Sequence, residues 1–547
     1  MGRERKRARV AETTVEEHDA SDSDDASGRP PSQRNDDALA QLREEFSLAG
    51  YARSLAGVRG KRSVHLFVGP PNSGKSYTAF DELAGARSGV YLAPLRLLAL
   101  EGRDALACRG VMVDLLTGED RESQAGSTHV SCTIEMLPKV RRRFAVAVID
   151  EGQMLFDASR GWAWTAALLG AAADRLIIVA GAHAVSAIAK ILDACGEVPV
   201  TRHFERKRAV KVLEEPLSTT QLRKGDAVVA FSRADVLKLR DELQARRPPL
   251  TTAVVYGALP SEARRREAER FSSGVAEVLV ATDAVGQGLN LPIQRLFFSK
   301  ITKFDGKGFR TLNVAETHQI AGRAGRFGFG TDAGVVGVLA HSAEEDALLV
   351  LRSQLACAPA APLTSFRAPV APSPWHVRRI MEALRLTDSE PLENVLRVFY
   401  ERLGLDRGGV QTADGEKLLK LASRLDEAAP GMSVEERFAY ATAPLTMSDK
   451  NAIYTFMSWA GDAAMGSAVD GGKPNFLRYA GRNTVLDSME SVLRECTLWL
   501  YMTQKFPATY GHHDEVLALR DSYAAAISAR FAAPGKLDAE GTGRVAK

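Results

Sequence analysis

Residues 64–83 read VHLFVGPPNSGKSYTAFDEL, and the middle of that stretch decides what kind of fold surrounds it. Val64–Val68 is a short apolar run of the kind that makes a buried strand, and the residues after Ser76 continue as a helix. Between them, Gly69–Ser76 match G-x-x-x-x-G-K-S. Glycines in such a turn let backbone N–H groups converge on phosphate oxygens, and the helix N-terminus adds its partial positive charge. In this reading Gly69, Asn72, Ser73 and Gly74 form a phosphate cradle, Lys75 reaches the β- and γ-phosphates of a bound nucleotide, and Ser76 ligates Mg2+.

Working outward, the same grammar repeats. VYLAP (90–94), AVAVID (145–150) and LIIVAG (176–181) are Val- and Ile-rich runs, each followed by a longer amphipathic or Ala-rich segment. That alternation is the pattern of a parallel sheet wrapped by helices. A second series follows: AVVAFS (227–232), TAVVYG (252–257), EVLVATD (277–283), RLFFS (295–299) and GVVGVLA (334–340). Within it, a helix is expected with Ser261 near its start and Gly274 just past its end. After the Pro- and Ala-rich stretch 356–375 the pattern turns helical to about residue 532. The expected organisation is α/β: a disordered charged tail over 1–45, one lobe over 46–207, a second over 208–355, a helical domain over 356–534 and a frayed tail over 535–547. The Pro-rich leader of the helical domain reads as a linker or an extended strap laid on the lobes.

Composition is that of an ordinary globular protein, 45% hydrophobic and 25% charged. A net charge of +3 over 547 residues gives no global positive field, so any nucleic-acid surface must be local. Cys108, Cys132, Cys195, Cys357 and Cys496 have neither paired nor metal-ligand spacing, which favours buried thiols in a reducing compartment. No apolar run approaches the roughly 18 residues that span a bilayer. The first residues carry RERKRAR but also Glu12, Glu16, Glu17 and Asp19, too acidic for a transit peptide. A bacterial cytoplasm is the expected compartment, with the mitochondrial matrix as the alternative.

Hydrolysis of a bound nucleotide needs more than the cradle. In AVAVIDEGQ, Asp150 ends a strand and can hold Mg2+ through water, while Glu151 is placed to orient and deprotonate the attacking water. HQIAGRAGRFG (318–328) puts Arg323 and Arg326 three apart, on one helical face, with Gln319 a turn earlier. Presented across a cleft, two guanidiniums act as arginine fingers on the transferring phosphate. With the cradle on one lobe and the fingers on the other, hydrolysis must couple to lobe closure.

At these residues the sequence resembles superfamily-two DExH helicases, and among them the degradosome-type mitochondrial RNA helicases of the Suv branch with their bacterial relatives. GPPNSGKS, APLRLLALE, LLTGEDRE, SCTIEML and DEGQM stand in the family's order in the first lobe. VAFSR, VVYGALPSEAR, ATDAVGQGLNL and HQIAGRAGRFG do so in the second. ERFAYATAPL (436–445) and TLWLYMTQKFP (497–507) are similar to that branch's own helical domain. The resemblance implies two tandem RecA-like lobes followed by a mainly helical domain, and an ATP-dependent RNA helicase that moves 3′ to 5′ and clears structure for an exoribonuclease, as a monomer or weak dimer. It implies strand contacts at Arg96, Thr117, Gly118, Thr133 and Thr282, a relay through Gln153, and nucleotide sensing by Asp283, Gly286 and Gly288. Hydroxyls and backbone amides suit a grip on phosphate that reads no sequence. For Thr117 and Thr133 a turn or capping role is the competing reading.

KITKFDGKGFRTLNV, beginning at Lys300, has two alternating stretches around Asp305-Gly306, a hairpin signal. A hairpin over 300–313 would be a wedge or strand guide, with Lys300, Lys303, Lys307 and Arg310 favouring phosphate. His183 stands where the family carries an acid, and Gly152 replaces an aliphatic residue of the acid box. Trp499, Leu500, Tyr501 and Phe506 read as core rather than as a base-stacking stripe. Two other readings stay open: a nucleotide-gated RNA-binding scaffold, and a helicase acting on DNA or on an RNA–DNA hybrid. A scaffold has no need of Glu151, Arg323 and Arg326 together.

Overall fold

The structure is a computed structural model, and it describes residues 31–140, 142–206, 210–283, 291–305, 308–325, 333–340, 344, 346–359, 366–447, 449–478, 485–533 and 537. The first lobe holds β1 (Ser63–Val68), β2 (Gly89–Ala93), β3 (Val113–Leu116), β4 (Arg121–Glu122), β5 (His129–Thr133), β6 (Phe144–Ile149), β7 (Ala173–Ala180) and β8 (Val200–His203). Their order across the sheet is β4-β3-β5-β2-β6-β7-β1-β8, parallel throughout except for the β3–β4 pair. β2 and β5 are buried at every position, which only apolar or internally bonded side chains permit.

The second lobe holds β9 (Val210–Val212), β10 (Asp226–Ala230), β11 (Thr252–Val255), β12 (Val278–Thr282), β13 (Arg295–Phe298) and β16 (Gly334–Val338), in the order β11-β12-β10-β13-β16-β9 and wholly parallel. The expected helix is Ser261–Ser272. Between β13 and β16, β14 (Thr302–Phe304) and β15 (Phe309–Thr311) pair antiparallel, the hairpin expected from the sequence.

The helical domain ties both lobes together. Its strap includes Phe366, whose carbonyl accepts from Lys190 of the first lobe at 2.7 Å. β17 (Ala368–Val370) then pairs with β18 (Val410–Thr412), with Pro369 packed against Gly161. The last two long helices, Leu486–Lys505 and His513–Ala532, lie on the second lobe. There Arg240 donates to the Phe531 carbonyl at 2.9 Å, Tyr256 donates to Glu490, and Ser528 donates to the buried Glu267. Around them Trp459, Trp499 and Tyr510 meet edge to face in the core, each such pair adding about 0.5–1.5 kcal/mol beyond area burial.

Two boundaries differ from expectation. Residues 31–45, assigned to the charged tail, form the helix Pro31–Glu45. Leu39 and Leu42, with Phe46 just beyond, repeat at three and four residues and are buried, so this short stripe supplies the apolar area the tail beside it lacks. At the other end Leu537, assigned to the frayed tail, is buried with its N–H toward Asp241. The cysteines also divide: Cys132 and Cys496 are buried, whereas Cys108 and Cys357 are exposed. Among the described residues no helix is long and apolar enough to cross a membrane, and no group of three or more potential metal ligands occurs.

Candidate active site

Three neighbouring strands, β6, β7 and β1, end at one point, the C-terminal edge where parallel sheets place ligands. β1 delivers the loop 69–74. Gly74 caps the helix Lys75–Ala84 at φ 91°, a left-handed conformation that glycine adopts without strain. Asn72 shares that handedness at φ 59°, so successive N–H groups turn toward one concavity. Lys75 Nζ lies inside it, donating to the Gly69 and Pro70 carbonyls at 2.7 and 2.6 Å and lying 3.4 Å from Ser73 Oγ. Burial lowers the Lys75 ammonium from its ordinary value, opposed by the carboxylates of Glu151 and Asp150.

β6 delivers the acids. Asp150 is held on every side: Ser76 Oγ donates to Oδ1 at 3.3 Å, Tyr91 Oη to Oδ2 at 2.8 Å, and Trp164 Nε1 to its carbonyl at 3.0 Å. Ser76 and Asp150 thus present hard oxygens side by side, a donor set that fits Mg2+. Glu151 takes the left-handed backbone at φ 51°, a strain of about 1–3 kcal/mol that sites of chemistry commonly store. Its N–H donates to Asp150 Oδ1 at 2.9 Å, and its carboxylate accepts from Gln153 Nε2. Gln153 in turn accepts from the Gly181 N–H, just past β7, at 3.1 Å, so its amide orients Glu151 and reads the neighbouring strand. Burial first, then the Asp150 charge, raise the Glu151 carboxyl above its usual value.

The second lobe closes over this edge. Asn72 Nδ2 donates to the Gly322 carbonyl at 2.6 Å, and a Cβ on Gly322 would stand 2.7 Å from the Pro71 Cβ. Arg323 places its guanidinium 3.7 Å from the Glu151 carboxylate. Arg206, where the chain leaves the first lobe, donates to the Gly322 and Ala324 carbonyls at 3.2 and 2.6 Å. Gln319 sits in the preceding helix Val314–Ala321. Arg326, Gly286, Gly288 and Lys307 lie outside the described residues.

The profile of the DEXQ-box helicase domain of Suv3 matches residues 54–204, and that of the helicase conserved C-terminal domain matches residues 208–328. The rice protein named ATP-dependent RNA helicase SUV3, mitochondrial, is 34% identical over 456 residues, which cover 82% of this chain and 76% of that one. The chain belongs to the SUV3 helicase family. The Arabidopsis protein named DExH18 is 31% identical, across 85% of this chain and 58% of its own length. Human SUPV3L1 is 35% identical, across 70% of this chain and 48% of its own. The chain therefore spans between about half and three quarters of the length of these relatives.

Against that family pattern the expected strand contacts divide. Thr133 and Thr282 end buried strands in the two lobes. Thr117 is fully buried, and its hydroxyl accepts from the Asp120 N–H at 2.9 Å, the turn role foreseen as its alternative. A Cβ on Gly118 would meet the Tyr501 ring at 3.5 Å. Arg96 departs from expectation. It is 11% exposed and is claimed by Glu119, Asp120 and, from the second lobe, Glu262, because a guanidinium taken out of water needs matching carboxylates. Arg520 of the helical domain joins the same cluster through Asp120 at 3.1 Å. Lys303 departs likewise: it pairs with Asp283 at 3.1 Å and Glu316 at 2.9 Å rather than presenting a free cation. His183 stacks on Phe156, and burial lowers its pKa, so a neutral ring occupies the acid's place. Gly152 has a steric reason: a Cβ there would meet Ala180 and Ile188 at 3.1–3.2 Å. Arg206, Tyr91 and Trp164 escaped the sequence reading, since an arginine in HFERKRAV and aromatics inside apolar runs carry no motif.

Proposed function

We propose that this SUV3-family chain binds ATP at the seam of its two lobes and uses hydrolysis to close and release them along a single RNA strand. By family it is an ATP-dependent RNA helicase. The observation that carries the mechanism is the approach of Arg323 to Glu151 across that seam. Lys75 and the 69–74 amides hold the triphosphate. Glu151, its proton affinity raised, accepts a proton from the attacking water, and Gln153 fixes its direction. Arg323 faces the charge that develops on the γ-phosphate. Ser76 and Asp150 would hold Mg2+, which would supply neutralisation of phosphate charge. Loss of that charge after cleavage weakens the hold on Arg323 and lets the second lobe withdraw.

The hairpin is the proposed strand separator. Its described cations are engaged, Lys300 with Asp235 at 2.7 Å and Arg310 with Glu316 at 2.8 Å. What it presents to solvent is an aromatic pair, Phe304 and Phe309, 56% and 75% exposed with ring centroids 5.5 Å apart. Rings of that kind stack on bases without reading sequence. Movement 3′ to 5′, service to an exoribonuclease in RNA turnover, and a monomeric or weakly dimeric state follow by kinship. The relatives' mitochondrial names favour the matrix over the bacterial cytoplasm expected from composition.

The test compares ATPase stimulation and strand separation on RNA, DNA and hybrid duplexes with 3′ or 5′ tails. Separation of 3′-tailed RNA is expected. Nucleotide-dependent RNA binding with no strand separation would make it a scaffold, and preference for DNA duplexes would make it a DNA helicase.

A further inference from the structure

The strap of the helical domain lies along the segment that follows Asp150 and Glu151. Past Glu151 the first lobe makes one short turn, Gly152–Phe156, before the helix Gly161–Gly170. Phe366 of the strap meets Phe156 edge to face, with ring centroids 5.8 Å apart. Phe156 also stacks on His183 at 6.1 Å, and that imidazole covers Gly181, where a Cβ would stand 2.9 Å from the ring. The Gly181 N–H holds the Gln153 amide at 3.1 Å, and Gln153 holds Glu151. Three residues further along the strap, Pro369 Cγ lies 2.9 Å from where a Cβ on Gly161 would be. Gly161 opens the helix whose Trp164 donates to the Asp150 carbonyl at 3.0 Å. The strap is fastened there by Lys190 Nζ, which donates to the Phe366 carbonyl at 2.7 Å, and by the Asp414 N–H, just past β18, which donates to the Ala158 carbonyl at 3.2 Å. Two routes of direct contact therefore run from the strap to the acid pair.

We propose that Phe366 and His183 are positioning residues for hydrolysis: through Phe156 and Gly181 they fix the Gln153 amide, and with it the direction in which Glu151 faces the attacking water. The inference rests on the reading of Glu151 as the base that takes the water's proton. Glu151 stands in left-handed backbone at φ 51°, a conformation that persists only where its surroundings over-determine it. The Gln153 side chain supplies part of that constraint, because it is held at both ends, its oxygen by Gly181 and its nitrogen on Glu151. Gly181 has no side chain of its own to pack, so the His183 ring against it keeps the loop after β7 in place. Burial holds that ring below its ordinary pKa, and it packs as a neutral plate. The departure at His183 thereby acquires a use: in place of a charge it offers a face on which Phe156 stacks. Phe156, His183 and Phe366 are only half-buried, so their replacement costs little of the core. A shift of the helical domain on the first lobe reaches Glu151 by this path without touching the nucleotide, and a displacement of about 1 Å can cost about 10²-fold in rate.

The test is a set of double-mutant cycles in the full chain, read by steady-state ATPase in the presence of oligouridine, by binding of a fluorescent ADP analogue and by thermal unfolding. Phe366→Ala and His183→Ala should each lower kcat at least about 10-fold while KM for ATP stays within about 2-fold. Phe366→Tyr and His183→Phe, which keep the rings, should behave as wild type. In a Gln153→Ala background neither alanine should add a further loss, because the group they act through is gone. Affinity for the ADP analogue should stay within about 2-fold throughout, since the 69–76 loop is untouched. Wild-type kcat in either alanine variant overturns the proposal, and so do losses that multiply with that of Gln153→Ala, or a His183→Phe as slow as His183→Ala. If thermal unfolding shows that Phe366→Ala does not fold, the His183 pair carries the same cycle. Wild-type turnover in Glu151→Gln overturns this proposal and the reading of Glu151 together, whereas an inactive Glu151→Gln beside an intact Phe366→Ala removes the strap alone.

Discussion

The Arg323 guanidinium lies 3.7 Å from the Glu151 carboxylate, joining the two lobes at the two groups proposed to act in hydrolysis. If both act on one transition state, their losses will not multiply. Arg323→Ala should lower RNA-stimulated kcat by about 10³, the small end for an arginine finger. Glu151→Gln should lower it by about 10²–10⁴. The double variant should be little worse than the poorer single one. Steady-state ATPase assays on all four proteins decide this, and fully multiplicative losses would show that the two residues work independently.

The bond from Asn72 to the Gly322 carbonyl makes the phosphate loop itself part of the lobe contact. Removing it should cost about 1 kcal/mol, or about 5-fold in the ATP concentration needed for half-maximal turnover. Asn72→Gly separates the side chain from the backbone, because glycine tolerates φ 59° and alanine does not. Asn72→Gly should therefore show only the lost bond, whereas Asn72→Ala should add strain and lower thermal stability. Equal melting temperatures for the two variants would contradict this division.

How much of this was legible beforehand follows from where each signal lives. The loop 69–76, Asp150, Glu151 and Arg323, which the structure brings to one seam, stand out in the sequence because their patterns are local: a few residue types at fixed spacing. The buried strands β1, β2, β6 and β7 show as apolar runs for the same reason. β3 and β5 do not stand out, for VDLL is short and HVSCT hides its burial behind polar side chains bonded internally, as Ser131 is to the Ala99 carbonyl. The helix Pro31–Glu45 was missed because three apolar residues in a charged segment matter only once a partner surface exists. Nothing near Arg96 in sequence announces Glu262, which comes from the other lobe. Long-range charge pairing is invisible to spacing.

The exposed Phe304–Phe309 pair separates two jobs of the second lobe. Phe304→Ser/Phe309→Ser should reduce strand separation at least about 10-fold, since base stacking is worth about 1–3 kcal/mol per base. RNA-stimulated ATPase should stay within about 2-fold, because no hairpin aromatic touches the nucleotide seam. Parallel unwinding and ATPase assays read the two effects apart. Loss of both together would place the pair in RNA binding rather than in strand parting, and loss of neither would remove the hairpin from the mechanism.

His376 gives a stability prediction with a definite sign. The ring is 1% exposed among Phe46, Tyr51, Trp375 and Phe399, and its Nδ1 accepts from the Ser373 N–H at 3.1 Å, closing the start of the helix Pro374–Leu384. Burial pushes its pKa down to about 3 from 6.5. A histidine depressed in the folded state contributes stability that is present above the unfolded pKa and lost as pH falls through the folded value. From pH 6.5 to pH 5 that loss is about 2 kcal/mol, because the unfolded chain takes up a proton the folded one refuses. Glutamine can keep the reciprocal cap of the Ser373 N–H without titrating. Urea denaturation at pH 7 and pH 5 should therefore show a larger acid loss in wild type than in His376→Gln, by about 2 kcal/mol. Trp375 fluorescence follows the same unfolding event, since its ring lies 4.9 Å from the imidazole. Identical acid losses in the two proteins would mean that the ring gains a proton while folded, and that the aromatic cluster joining the N-terminal helix to the helical domain opens to water.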